Sequence, residues 1–291
     1  MTMNDVATAP QQKYPQKKRV FVLIHGAWHS HAQWNSVSLQ LAATGAGVVC
    51  VDLPGHGLKA RLPDGYLAQD PTWFHSSPSP EKEVTLDDCV QSILDVIAKI
   101  DDNADVTLVG HSMSGVVITK VGDLLADRLP RIVYVSAYVP VKYPNSPSYI
   151  SLPENASSRS DSFIGDPLKT GAVRINPRSG DLSYLETLHG TFYNDMPFEK
   201  AVAYLNGLTP DLPMRLLEGD ARGRADTWGR IRRTFIRCTQ DVALPLSLQD
   251  LMIREADERY PDNRFVVHTL QAGHSPFASM PETLADILIA G

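Results

Sequence analysis

No stretch of 18 consecutive apolar residues occurs in the chain, so a membrane-spanning helix is not expected. Basic residues are not in excess. The 27 Lys and Arg stand against 33 Asp and Glu, and the net charge of -6 argues against nucleic acid or an anionic membrane as a partner. Cysteine is scarce and odd in number. Cys50, Cys89 and Cys238 lie far apart, which leaves no disulfide framework and no paired metal motif. Two fall in predicted strands and one in a predicted helix, so reduced thiols in a cytoplasmic protein are expected. The first 18 residues lack the apolar middle of a secretory signal; they are polar, carry Pro10 and Pro15, run into a Lys17-Lys18-Arg19 cluster, and read as a flexible tail. There is no internal repeat. Gly45-Ala46-Gly47 precedes a strand rather than following one, so it fails the structural test for a dinucleotide loop.

What remains is ordinary for a globular protein: 43% hydrophobic and 21% charged residues over a length of 291, which suits one core with an insertion. Apolar runs at residues 19–24, 47–51, 106–109, 132–135, 234–238 and 264–268 alternate with helical patterns. Runs apolar on both faces predict strands covered on both sides, as in a parallel sheet. Leu86, Val90, Ile93, Ile97 and Ile100 form one helical stripe, with Thr85 and Asp88 as a capping box. Met113, Val117, Val121 and Leu124 form a second. The last helix is expected to start near Ser279-Met280-Pro281-Glu282 and to bury Leu284, Ile287 and Leu288. The alternation predicts an α/β fold, a mostly parallel doubly wound sheet, with active groups at the carboxyl ends of its strands.

Two stretches break the rhythm. Residues 58–83 hold Pro63, Pro71, Pro78 and Pro80 around Trp73-Phe74-His75, and read as a long functional or mobile loop. Residues 138–228 begin rich in Pro, Ser and Asn and turn helical around 182–188 and 198–208. They are expected to form a cap over the active edge of a core made of 19–137 and 229–291.

The sharpest motif is Gly110-His111-Ser112-Met113-Ser114-Gly115, which follows an apolar run and opens a helical pattern. A serine at so tight a strand-to-helix turn needs small residues two before and two after it, here Gly110 and Ser114. Were Ser114 the nucleophile, its flanks would be Ser112 and the β-branched Val116, which fits badly. Ser112 is therefore the candidate nucleophile. A nucleophilic serine needs a base, and the base an orienting acid, in the chain order Ser, Asp, His, each just after a strand. Asp241 and His274 satisfy this order, with Asp250 a rival acid lying inside the next helical segment. An oxyanion hole needs two backbone N–H donors, each worth roughly 3 kcal/mol in the transition state. Met113 at the head of the elbow helix and Ala27 in the loop after the first strand are the candidates.

His25-Gly26-Ala27-Trp28-His29, Asp52-Leu53-Pro54-Gly55-His56-Gly57, the elbow, Cys238-Thr239-Gln240-Asp241 with Leu244-Pro245, and Ala272-Gly273-His274 together resemble the α/β-hydrolase superfamily. They are most similar to its plant methylesterase and hydroxynitrile lyase branch and to that branch's bacterial esterase relatives. The likeness covers most of 19–137 and 229–291, and is weak in the insertion, through Phe192-Tyr193-Asn194-Asp195. It implies a catalytic triad of Ser112, Asp241 and His274, with Ala27 and Met113 as oxyanion donors. The lyases of the branch carry threonine at the position of Gly26 and lysine directly after the triad histidine. This chain has Gly26 and Ser275, which implies an esterase.

The expected activity is hydrolysis of a small-molecule carboxylic ester through an acyl-enzyme, with no cofactor or metal. C–C bond hydrolysis or lyase chemistry with a His-Asp base is the alternative, and a ligand-binding protein on a hydrolase scaffold is a third reading. Trp28, Trp73 and Tyr193 are candidate pocket walls. His29-Ser30-His31 lacks a carboxylate or cysteine at ligand spacing and is set aside as a metal pair. Arg222, Arg224, Arg230, Arg232 and Arg233 read as a solvated hinge, or else as a docking surface for an acidic substrate. The sequence leaves a homo-oligomer open.

Overall fold

The computed structural model describes residues 17–291, so all but the last two residues of the tail expected over 1–18 lie outside them. Along the chain, β1 (Arg19–Ile24), α1 (Asn35–Ala43) and β2 (Gly47–Val51) come first. Next are α2 (Asp64–Ala68), α3 (Pro71–Ser76), α4 (Leu86–Ile97), β3 (Asp105–His111), α5 (Ser114–Leu124) and β4 (Arg131–Val135). An inserted segment follows, with α6 (Ser146–Ile150), α7 (Pro167–Thr170), β5 (Ala172–Arg174), α8 (Leu182–Phe192), α9 (Phe198–Asn206), β6 (Asp211–Pro213) and α10 (Met214–Glu218). The chain closes with β7 (Arg232–Cys238), α11 (Leu246–Arg259), β8 (Val266–Leu270), α12 (Pro276–Ser279) and α13 (Pro281–Ala290).

Six strands form one sheet in the order β2-β1-β3-β4-β7-β8, and every neighbouring pair is parallel. The α/β architecture is therefore as the alternation implies, and the helix pairs α1–α13 and α4–α5 pack over the sheet. From β1 the chain steps outward to β2, then back across to β3. The crevice at that reversal, between the carboxyl ends of β1 and β3, is where such sheets place ligands.

Continuous apolar runs are buried at the centre: β4 throughout, and β3 from Val106 onward. They are not covered at the edge, where Val266 and Val267 of β8 are 54% and 41% exposed. An edge strand has a neighbour on one side only, so the rule for central strands fails there. The capping box of α4 is present in both directions, Asp88 N–H to Thr85 Oγ1 at 3.2 Å and Thr85 N–H to Asp88 Oδ2 at 2.9 Å. Leu124 ends α5 exposed rather than on its buried stripe. The last helix starts at Pro281 with Met280 in the cap position; Ser279 ends α12 and gives its hydroxyl to Asp195 at 2.6 Å.

Residues 58–83 are more ordered than expected. Their prolines start helices as often as they break them: Pro71 opens α3, and Asp70 Oδ1 caps it by accepting the Trp73 N–H at 3.0 Å. The inserted segment contains a small antiparallel ladder, β5 against β6, that was not anticipated. Its strands have three residues each, too few for a periodic signal. Arg174 of β5 is wholly buried and forks onto Asp211 of β6 at 2.6 and 2.9 Å. The same guanidinium lies 4.5 Å over the Phe74 ring and donates to the carbonyls of Phe74 and Ser77. So the 58–83 stretch is bolted to the inserted segment.

Candidate active site

The elbow is built as its small residues require. Ser112 has φ 54°, a left-handed conformation that costs a non-glycine residue roughly 1–2 kcal/mol. It is held there by its own N–H to Val135 O at 3.2 Å and by Gly115 and Tyr138 N–H groups on its carbonyl, each at 3.1 Å. A Cβ on Gly110 would meet Ile118 Cδ1 at 2.7 Å, which is why that position is bare. Ser114 fits because its hydroxyl turns inward between the carbonyls of His111 (2.8 Å) and Ile24 (3.1 Å). It is fully buried and so offers no competing nucleophile.

Ser112, Asp241 and His274 follow β3, β7 and β8, and they meet. His274 Nε2 lies 3.0 Å from Ser112 Oγ, and His274 Nδ1 lies 2.7 Å from Asp241 Oδ2. An ionised carboxylate only accepts, so Nδ1 carries the proton and Nε2 accepts from the Ser112 hydroxyl. Asp241 Oδ1 accepts the N–H groups of Ala243 and Leu244, each at 2.8 Å. The rival Asp250 is engaged elsewhere, in a two-bond pair with Arg237 at 2.5 and 2.8 Å.

Beside the elbow, the loop after β1 comes so close that a Cβ on Gly26 would sit 2.7 Å from Ser112 Cβ and 2.8 Å from His111 Nδ1. This approach brings Ala27 to Ser112. Neither the Ala27 N–H nor the Met113 N–H donates to any acceptor among the described residues. The carbonyls of the loop, by contrast, are held. His25 Nδ1 bonds Gly26 O at 2.8 Å while its Nε2 accepts the Leu53 N–H at 3.1 Å, which puts the ring proton on Nδ1. His29 Nδ1 bonds Ala27 O at 2.7 Å. Burial pushes His29 down to about 3 and holds His25, His56 and His111 below the usual imidazole range, so this cluster is neutral.

A cavity of about 360 Å³ opens above these groups. Ala27, Trp28, Ser112, Met113 and His274 line its floor, and Phe163, Phe192, Leu212 and Leu217 of the inserted segment its walls. Of the aromatic candidates, Trp28 is in place. Tyr193 is not: it is fully buried behind the cavity with its hydroxyl 3.0 Å from His29 Nε2, and its neighbour Phe192 faces inward instead. Nor is Trp73, which is 47% exposed beside Pro63 and Pro78, while Phe74 turns inward under Arg174. Neither Trp73 nor Phe74 lines the cavity, and of the pair Phe192-Tyr193 only Phe192 does. The arginine run stands off the cavity. Arg222 and Arg224 pair with Asp220 (2.6 Å) and Asp226 (2.7 Å), Arg230 with Asp127 (3.1 Å), and Arg233 stacks 4.2 Å over Trp228.

Three polar residues at the site carry no motif. Ser136, at the end of β4, donates its hydroxyl to Asp241 Oδ2. Asn194 Nδ2 bonds Gln240 O at 2.9 Å, and Asp195 Oδ2 accepts the Gly273 N–H at 2.7 Å. These last two tie the inserted segment to the loops bearing Asp241 and His274. The phrase Phe192-Tyr193-Asn194-Asp195 was the only sequence signal for them.

Comparison with known proteins agrees with this architecture. Methylesterase 7 of Arabidopsis thaliana is 27% identical over 283 residues, covering 95% of this chain and 96% of its own. Norfluorocurarine synthase 2 of a Strychnos species is 26% identical over 299 residues, covering 98% and 97%. Among solved structures, a pyrethroid hydrolase from Sphingobium faniae superposes with a TM-score of 0.68 at 22% identity, covering 94% and 97% of the two chains. A methylesterase from Arabidopsis gives 0.67 at 22%, covering 94% and 98%. The model of the alpha/beta hydrolase family matches residues 21–287, and the chain belongs to that family.

Proposed function

We propose that the protein is a serine carboxylesterase whose triad is Ser112, His274 and Asp241, with residues 138–228 as the cap over its pocket. The observation that carries this reading is the unbroken relay from Asp241 Oδ2 through both ring nitrogens of His274 to Ser112 Oγ, at 2.7 and 3.0 Å. Ser112 Oγ attacks the ester carbonyl carbon as His274 Nε2 takes its proton. The carbonyl π pair moves to oxygen, which the free N–H groups of Ala27 and Met113 receive. The electron pair returns, the C–O bond to the alcohol breaks, and the alcohol leaves with the proton from His274. Water then repeats the cycle on the acyl-enzyme and releases the acid. Asp241 keeps the proton on Nδ1 and stabilises the imidazolium. The cavity's largely apolar walls, with Arg159, Ser158 and Asn155 as polar members, favour esters with an apolar acid or alcohol part. The names of the relatives, methylesterases and a pyrethroid hydrolase, fit such substrates. The three free thiols fit a reducing compartment such as the cytoplasm.

The lyase alternative finds less support. The position after His274 is Ser275, fully buried and without an ammonium to meet a leaving anion, and a threonine at Gly26 would collide with the nucleophile. The test is hydrolysis of p-nitrophenyl esters of graded acyl length by wild type and Ser112→Ala. The substitution should lower kcat by at least about a thousandfold. Equal rates in the two proteins overturn the mechanism, and labelling of Ser112 by a fluorophosphonate without turnover of any ester favours the binding-protein reading.

A further inference from the structure

We propose that Thr209 is a positioning residue for the oxyanion hole: with the Val173 carbonyl, it holds Trp28 in a left-handed conformation and so aims the adjacent Ala27 N–H at the reacting carbonyl oxygen. The inference rests on Ser112 as nucleophile and adds what keeps its second amide in place. Trp28 has φ 61°, a conformation that bulky side chains disfavour and that something must impose. A tight turn closed by the His29 N–H on Gly26 O at 3.3 Å places Trp28 at its third position, where φ is positive, and contacts from the inserted segment hold it there. Every hydrogen bond that Trp28 makes among the described residues goes to the inserted segment. Its carbonyl accepts the Thr209 N–H at 2.7 Å and the Thr209 hydroxyl at 3.0 Å, and its indole N–H donates to Val173 O at 3.0 Å. Its ring rests against Phe163 and Phe192, with centroids 5.3 and 5.5 Å away, and both belong to the same segment.

The two preceding carbonyls are fixed from the opposite side, Gly26 O by His25 and Ala27 O by His29. The loop is thus gripped from the core up to Ala27 and from the cap at Trp28. Among the described residues no acceptor meets the Ala27 N–H, the amide that the reaction uses. Preorganised donors stabilise an oxyanion because they need no reorientation when charge appears, so loosening one grip weakens transition-state binding more than substrate binding. Thr209 is buried, and its hydroxyl bonds the Trp28 carbonyl and nothing else among the described residues.

The experiment compares wild type, Thr209→Val, Thr209→Ser and Trp28→Phe on a p-nitrophenyl ester. Each is also titrated with an aryl-alkyl trifluoromethyl ketone and with the matching trifluoromethyl carbinol. The ketone adds Ser112 Oγ to its carbonyl carbon, its π pair becoming an oxyanion and the serine proton passing to His274. The carbinol fills the pocket without making that charge. Thr209→Val should lower kcat about three- to tenfold, the loss expected for one hydrogen bond, with KM within about twofold. Ketone affinity should fall by the same factor, carbinol affinity should hold, and Thr209→Ser should restore both rate and ketone affinity. Trp28→Phe, which lacks the bond to Val173, should lower ketone affinity by a larger factor than carbinol affinity even if the valine variant folds poorly, the loss common to the two reflecting the indole's place on the cavity floor. The inference is overturned if both variants keep wild-type kcat and ketone affinity, or if ketone and carbinol affinity fall by the same factor in each. Failure of wild type to be labelled at Ser112 by a fluorophosphonate would instead remove the nucleophile reading itself.

Discussion

Ser136 directly follows β4 with φ 39°, between the strands that lead to Ser112 and Asp241, and its N–H bonds Ile236 O at 2.9 Å. Its hydroxyl shares Asp241 Oδ2 with the His274 ring. A donor to a buried carboxylate is worth roughly 1.5–3 kcal/mol, and losing it lets the carboxyl group rotate off the imidazole. Ser136→Ala should therefore lower kcat by about tenfold or more with KM little changed, checked by steady-state kinetics on a p-nitrophenyl ester. Unchanged kcat would leave Ser136 a bystander. No sequence pattern announces this residue, because its role comes from β4 lying between β3 and β7, a fact of strand order. That Ser112, Asp241 and His274 meet was legible because the elbow limits its flanking residues and because the ends of parallel strands share one rim. Trp73 and Tyr193 were not. Trp73 stays half exposed while Phe74 is buried, and Tyr193 is buried behind the cavity that Phe192 lines; only packing decides which aromatic of such a pair goes where.

Among the elements, the central strands and α4 could be read directly, since burial on both faces and a 3.6-residue stripe leave strong marks on composition. The β5–β6 ladder could not be read, and its stability comes from a buried ion pair rather than from an apolar repeat. Arg174 and Asp211 are both almost fully enclosed. Removing one partner strands the other charge, at a cost of about 3–5 kcal/mol, whereas replacing both by apolar residues of like volume is often close to neutral. Arg174→Met should lower the unfolding free energy from urea titration by that amount, and Arg174→Met/Asp211→Leu should recover a large part of it. If the single and double variants match wild type, the pair does not hold the ladder. The prolines of 58–83 misled for a related reason. A proline reads as a breaker in sequence, yet at the first position of α3 it is well placed.

For the whole molecule, four buried histidines make stability depend on acid. His25, His29, His56 and His111 are held below the usual imidazole range by burial, His29 down to about 3. In the unfolded chain each takes a proton below about pH 6.5, while the folded chain does not. The unfolded state then binds more protons, so stability is full above that pH and is lost as pH falls through and below it. Each such group adds a slope of about 1.4 kcal/mol per pH unit. The urea midpoint should be level on their account from pH 8 to 7 and drop steeply from 6.5 to 5; a level midpoint down to pH 5 contradicts the burial argument. The route of the chain through the inserted segment has a different consequence. The segment leaves the sheet at the carboxyl end of β4 but re-enters at the amino end of β7, because the two strands are parallel. From Gly223 onward its return leg is fastened to the core: Gly223 O to the Tyr260 hydroxyl, Asp123 to Arg224 and Thr227, and the Trp228 indole to the Tyr134 hydroxyl. A chimaera that borrows another enzyme's substrate preference should thus splice in a foreign stretch ending near Glu218, and leave 219–231 with the host whose sheet it closes.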